Sequence, residues 1–138
     1  MFDMKVVLDH IGIAVDDLEK ALGFYRDGLG LNVELTESVP TQAVRAHFID
    51  TGNSKLELLE ATSAESPIAR SITRRGVGLH HITFRVEDLV GTLDYLRGRG
   101  VQLIDDVPRD GAEGALVAFV HPRSTHGVLV ELKQERNG

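Results

Sequence analysis

The chain has 138 residues, a formal net charge of −6 and no cysteine. That length allows one domain or two small fused modules, and a composition of 42% hydrophobic and 26% charged residues is that of a globular protein. The acidic balance argues against a nucleic-acid partner, the missing thiols exclude disulfides and thiolate chemistry, and no apolar run is long enough for a membrane span.

The start, Met1-Phe2-Asp3-Met4-Lys5, lacks a signal-peptide pattern, so a cytoplasmic protein is expected. Residues 6–15 alternate as a strand, with Ile11, Ile13 and Val15 on one face and His10, Gly12 and Ala14 on the other. Asp16 or Asp17 can cap a helix carrying Leu18, Ala21, Leu22, Tyr25 and Leu29, which Gly28 and Gly30 stop. Phe24 and Tyr25 read as core. Three strands are expected near 31–37, 43–50 and 54–61, the last two joined by the turn Asp50-Thr51-Gly52-Asn53-Ser54. Ser66-Pro67 opens a linker helix that Gly76 ends, and Arg70, Arg74 and Arg75 form its solvated face or, alternatively, meet an anionic substrate. The strand-helix-three-strand order then recurs. A strand opens at Leu79, and a helix follows with Leu89, Leu93 and Leu96. Strands are expected near 101–105, 115–121 and 127–133, with a loop at 110–114 and a frayed tail from Gln134.

The recurrence is a true repeat. A shift of 71 positions lays His81 on His10, Val86 on Val15, Leu89 on Leu18 and Leu93 on Leu22. A module of half this length folds marginally, so the two copies should share burial, and duplicated units usually build a site where they meet. Each copy puts a histidine on its first strand and a glutamate on its last, both on the face turned from the helix: His10 with Glu57, His81 with Glu131. His80 alternates to the other face. A single strand histidine is most often structural, but two unusual residues recurring together in both copies point to a divalent-metal site of mixed nitrogen and oxygen ligands. Such a set leaves positions for water or a substrate oxygen.

The segments Leu8-Asp9-His10-Ile11-Gly12-Ile13-Ala14-Val15, Gly78-Leu79-His80-His81-Ile82 and 121–132 resemble the methylmalonyl-CoA epimerases of the vicinal oxygen chelate superfamily, which includes glyoxalase I and extradiol dioxygenases. The resemblance runs from Val7 to Lys133. It implies an α+β fold: two tandem βαβββ modules (about 6–61 and 79–133, with a linker at 62–78) forming a curled mixed sheet around a metal-binding cleft, all one domain. It places His10, Glu57, His81 and Glu131 on the four ligand positions, with Co(II) as the metal and Mn(II), Ni(II), Zn(II) or Mg(II) as substitutes. It also implies an acyl-CoA substrate, a homodimer and a role in propionate metabolism.

The implied chemistry removes the proton between thioester and carboxylate. It stabilises the enolate with the cation and returns a proton to the opposite face. Glu131 matches one proposed acid/base. The position of the other, after Gln42-Ala43-Val44-Arg45, is Ala46 here, and Glu57 is the first substitute, ahead of an ordered water; His47 alternates away. Ala43 replaces a usual glycine, Glu113-Gly114-Ala115-Leu116 lacks a frequent lysine, and His126 caps a turn or approaches the substrate. Three readings follow: this epimerase, another activity of the superfamily (hemithioacetal isomerase or extradiol dioxygenase), or a non-catalytic small-molecule-binding module. A fourth ligand at Glu57 argues against the dioxygenase, which uses two histidines and one glutamate.

Overall fold

The computed structural model describes residues 5–136. It divides into two compact units, His10–His80 and a second made of the residues up to Asp9 with those from His81 onward. Each contains one βαβββ module, the mixed α+β architecture expected. The first boundary falls inside β1 (Val7–Ala14), so Asp9 is described with module two.

Module one continues with α1 (Leu18–Leu22), β2 (Val33–Val39), β3 (Val44–Asp50) and β4 (Lys55–Ala61). The strands lie in the order β2-β3-β4-β1, antiparallel except for the parallel β4–β1 pair. The Asp17 carboxylate caps α1 by accepting the Lys20 N–H at 3.2 Å. Val15, Leu22, Ile49 and Leu58 form the buried centre on the helix side, with Ile13, Leu18, Tyr25 and Val33 packed against it. The expected single helix to Gly28 is a correction: after one turn it widens into a π-helical segment, Gly23–Gly28. Glycine at both ends lowers the cost of leaving α geometry, and the wider turn shifts the phase of the side chains. Tyr25 therefore stays with the core, whereas Phe24, also expected there, is 58% exposed.

Ser66 caps α2 (Pro67–Arg75) by accepting the Ile68 N–H at 3.1 Å, and Gly76 ends it with a left-handed φ of 82°. Ile68 and Ser71 are buried, while Arg70, Arg74 and Arg75 are exposed, as a solvated face should be.

Module two comprises β5 (Gly78–Arg85), α3 (Leu89–Gly98), β6 (Arg109–Asp110), β7 (Leu116–Val120) and β8 (Val130–Gln134), with strands in the order β5-β8-β7-β6. Its helix-side core is Val86, Leu89, Leu93, Ala118, Val120 and Leu132. The strand expected near 101–105 reduces to one bridge, Leu103 to Val120. The chain bends there: the N–H groups of Ile104 and Asp105 both donate to the Phe119 carbonyl, and the Asp105 carboxylate takes the Phe119 N–H at 2.8 Å. A side chain thus fills a ladder position, and regular pairing resumes only at Arg109. The expected loop at 110–114 is a short 3-10 turn with Glu113 and Gly114 both at positive φ. The polar tail starts later than expected. Gln134 closes β8, and its amide oxygen accepts the Leu89 N–H at 2.8 Å; residues 137–138 lie outside the described residues, as does the start, residues 1–4. Among the described residues no helix is long and apolar enough to cross a membrane.

Candidate functional site

Strand register decides which side chains can meet. In module one, Gly12 of β1 and Phe48 of β3 both pair with Glu57 of β4. His10, Phe48 and Glu57 therefore share the face turned from α1. His10 Nε2 lies 3.3 Å from Glu57 Oε1, and both residues are buried, at 4% and 5% exposure. The Phe48 ring meets the imidazole edge-on, with centroids 5.9 Å apart.

Module two repeats the arrangement. Thr83 of β5 and Phe119 of β7 pair with Glu131 of β8. His81 Nε2 is 3.7 Å from Glu131 Oε1, and Phe119 meets the His81 ring edge-on at 6.2 Å. One partner is new: the Thr83 hydroxyl donates to Glu131 Oε1 at 2.6 Å. That charge-assisted bond fixes the carboxylate rotamer.

The donor chemistry fits a divalent ion. Atoms held about 2.1 Å from one cation lie about 3.0 Å apart at right angles and about 3.4 Å apart at tetrahedral angles. The His–Glu separations of 3.3 and 3.7 Å are close to those spacings, and the longer one exceeds hydrogen-bond length. A glutamate buried as deeply as Glu57 also calls for positive charge nearby. Each module thus supplies one imidazole and one carboxylate, with no thiolate, which suits a metal of intermediate hardness.

The remaining candidates separate clearly. His47 faces the helix side, where Thr36 Oγ1 lies 3.1 Å from Nδ1 and Glu60 Oε1 lies 3.1 Å from Nε2. Ala46 is fully covered on the same face as Glu57. His126 and Gly127 both take positive φ in the turn before β8. His121 caps the turn Pro122–Ser124 by accepting the Arg123 N–H at Nδ1. The sequence reading missed the two edge-on phenylalanines and the Thr83 bond. The repeat carried the signal for the former, since the 71-residue shift also lays Phe119 on Phe48.

The chain is similar to known proteins over nearly its whole length. The model of the glyoxalase/bleomycin resistance protein/dioxygenase superfamily matches residues 9–119. An uncharacterized Bacillus subtilis protein, YqjC, is 47% identical over 91% of this chain and 89% of its own. The ethylmalonyl-CoA/methylmalonyl-CoA epimerase of Cereibacter sphaeroides is 40% identical over 92% of this chain and 96% of its own. A solved variant of Streptomyces coelicolor methylmalonyl-CoA epimerase, in complex with 2-nitronate-propionyl-CoA, superposes with a TM-score of 0.86 at 37% identity, covering 95% of this chain and 96% of that one.

Proposed function

Because the chain belongs to the methylmalonyl-CoA epimerases of the glyoxalase/bleomycin resistance protein/dioxygenase superfamily, we propose that it interconverts the two epimers of methylmalonyl-CoA with the help of one divalent metal ion. The chain is an isomerase of that family. The observation that carries the reading is the repeated His–Glu pair, His10 with Glu57 and His81 with Glu131, on equivalent faces of equivalent strands.

In this reading all four residues are ligands, one imidazole and one carboxylate from each module. The metal, Co(II) before Mn(II), Ni(II), Zn(II) or Mg(II), supplies Lewis-acid stabilisation of the charge that develops on oxygen as the proton leaves. Glu131 moves a proton at the α-carbon, and the Thr83 hydroxyl holds its Oε1 in place while it does so. Glu57 is the matching ligand carboxylate of module one and the first candidate to serve the other face of that carbon. Phe48, which is buried, and Phe119, which is half-buried, stand beside the two pairs and limit the water that reaches them, which strengthens each electrostatic contact. The same reading makes the 138 residues one functional domain of a cytoplasmic homodimer in propionate metabolism, acting on an acyl-CoA.

The test is exchange of the substrate's α-proton in deuterated solvent. Metal-loaded protein should wash deuterium into both epimers and bring them to equilibrium. No exchange in either epimer would end the proposal.

A further inference from the structure

Inverting a carbon centre needs a proton taken from one face and another delivered to the opposite face. With Glu57 held against His10 as a ligand, a second duty as proton donor would require it to loosen its hold. Module one carries another carboxylate on that face, and a distortion of β2 puts it there.

Val33 pairs with Ile49, and both side chains belong to the helix-side core. With a period of two, Leu35, Glu37 and Val39 should follow Val33 onto that face. The register shifts between Val33 and Leu35, so that Leu35 pairs with Phe48 and Glu37 with Ala46. Phe48 in turn pairs with Glu57, and Ala46 with Leu59, which puts Leu35 and Glu37 on the face of His10 and Glu57. The shift is a β-bulge at Glu34, whose carboxylate meets Lys55 Nζ at 2.9 Å. Bulges interrupt pairing at some cost and often re-aim side chains beside functional sites.

Burial along β2 points the same way. Leu35 is 39% exposed, whereas Glu37 is half-buried, the reverse of what the two residue types ordinarily do. Ala46 is only 1% exposed although it carries one methyl, so surrounding groups cover it. Cross-strand partners have Cβ atoms about 5 Å apart, and an extended glutamate carries its carboxylate about 5 Å from its own Cα. Glu37 can therefore reach over Ala46 towards the ligand row. Glu60 faces the helix side with His47 and Arg45, Asp50 accepts the Gly52 N–H in the hairpin turn, and Glu34 pins the bulge.

We infer that Glu37 is the catalytic residue that exchanges a proton with the substrate's α-carbon from module one, leaving Glu57 as a metal ligand. The inference rests on the epimerase reading. The step is balanced: Glu131 takes the α-proton as the C–H bond breaks and its electron pair moves into the enolate. The Glu37 carboxylic acid then gives its O–H proton to the other face as a new C–H bond forms. In the reverse direction the two residues exchange roles.

The test compares Glu37→Gln with wild type, both metal-loaded, using each epimer of methylmalonyl-CoA separately. Metal content by mass spectrometry and KM should stay within about threefold, while kcat for epimerisation should fall by about 10²-fold or more. One epimer should still exchange its α-proton with solvent without inverting, and the other should cease to exchange. A structural role for Glu37 would not split the epimers in this way. Glu37→Asp, which keeps the acid but shortens its reach, should retain the metal and show the same split at an intermediate rate; it serves if the glutamine variant does not fold. Near-wild-type inversion in the glutamine variant, or equal loss of exchange from both epimers with metal retained, would overturn the inference. Absence of exchange in the wild type would instead mean that the epimerase reading itself has failed, and the inference with it.

Discussion

The two modules keep the same donors and differ in what surrounds them. Both place a histidine on the first strand, a glutamate on the last and a phenylalanine edge-on to the histidine. Around that constant set, module two has Thr83 donating to Glu131, where the 71-residue shift gives Gly12 in module one. Module two has Val117 paired with Arg109, whose guanidinium lies 5.3 Å from the centre of the Phe119 ring. The equivalent pair in module one is Ala46 with Glu37. A duplicated scaffold can thus hold donor types constant while its neighbouring positions diverge in charge and size. Module two braces its carboxylate and carries a cation; module one is smaller at these positions and carries an acid. An inversion needs such an inequality, because acid and base must differ at any instant.

The largest effects should come from breaking what the modules share. If both histidines are ligands of the proposed metal, His10→Ala and His81→Ala should each strip the divalent ion and lower epimerisation by about 10³-fold, because the cation's stabilisation goes with it. Mass spectrometry of metals alongside the α-proton assay checks this. A variant that keeps its metal and loses only activity would show that its histidine is no ligand. A smaller effect should follow from erasing a difference. Thr83→Val keeps the volume but removes the hydroxyl that donates to Glu131. It should cost about 10- to 100-fold in metal affinity or kcat, as loss of a partner that orients a ligand does elsewhere. Retention of both at wild-type levels would show that Glu131 needs no such brace.

Much of this was legible in the chain itself. The 71-residue repeat gave two βαβββ modules, and the period of two selected His81 over His80 and put His47 on the far side of β3. What escaped the pattern did so where the backbone leaves its period. The bulge at Glu34 reverses the parity of β2, so alternation counted from Val33 sends Glu37 to the wrong face. The π-helical segment after Leu22 turns Phe24 outward although its spacing suits a core. The Asp105 side chain takes a ladder position, and an apolar stretch that reads as a strand becomes a bend with one bridge. The Thr83 bond was hidden for another reason: sequence shows a residue's face, but not which of its neighbours it will bond.

The central claim is that two modules, each with one imidazole and one carboxylate, serve a single metal. Titrating metal-free protein with Co(II) while following binding by calorimetry tests it most directly. The account expects one tight site per chain, lost in His10→Ala and equally in His81→Ala. Two independent sites per chain, each abolished by only one of these substitutions, would contradict it.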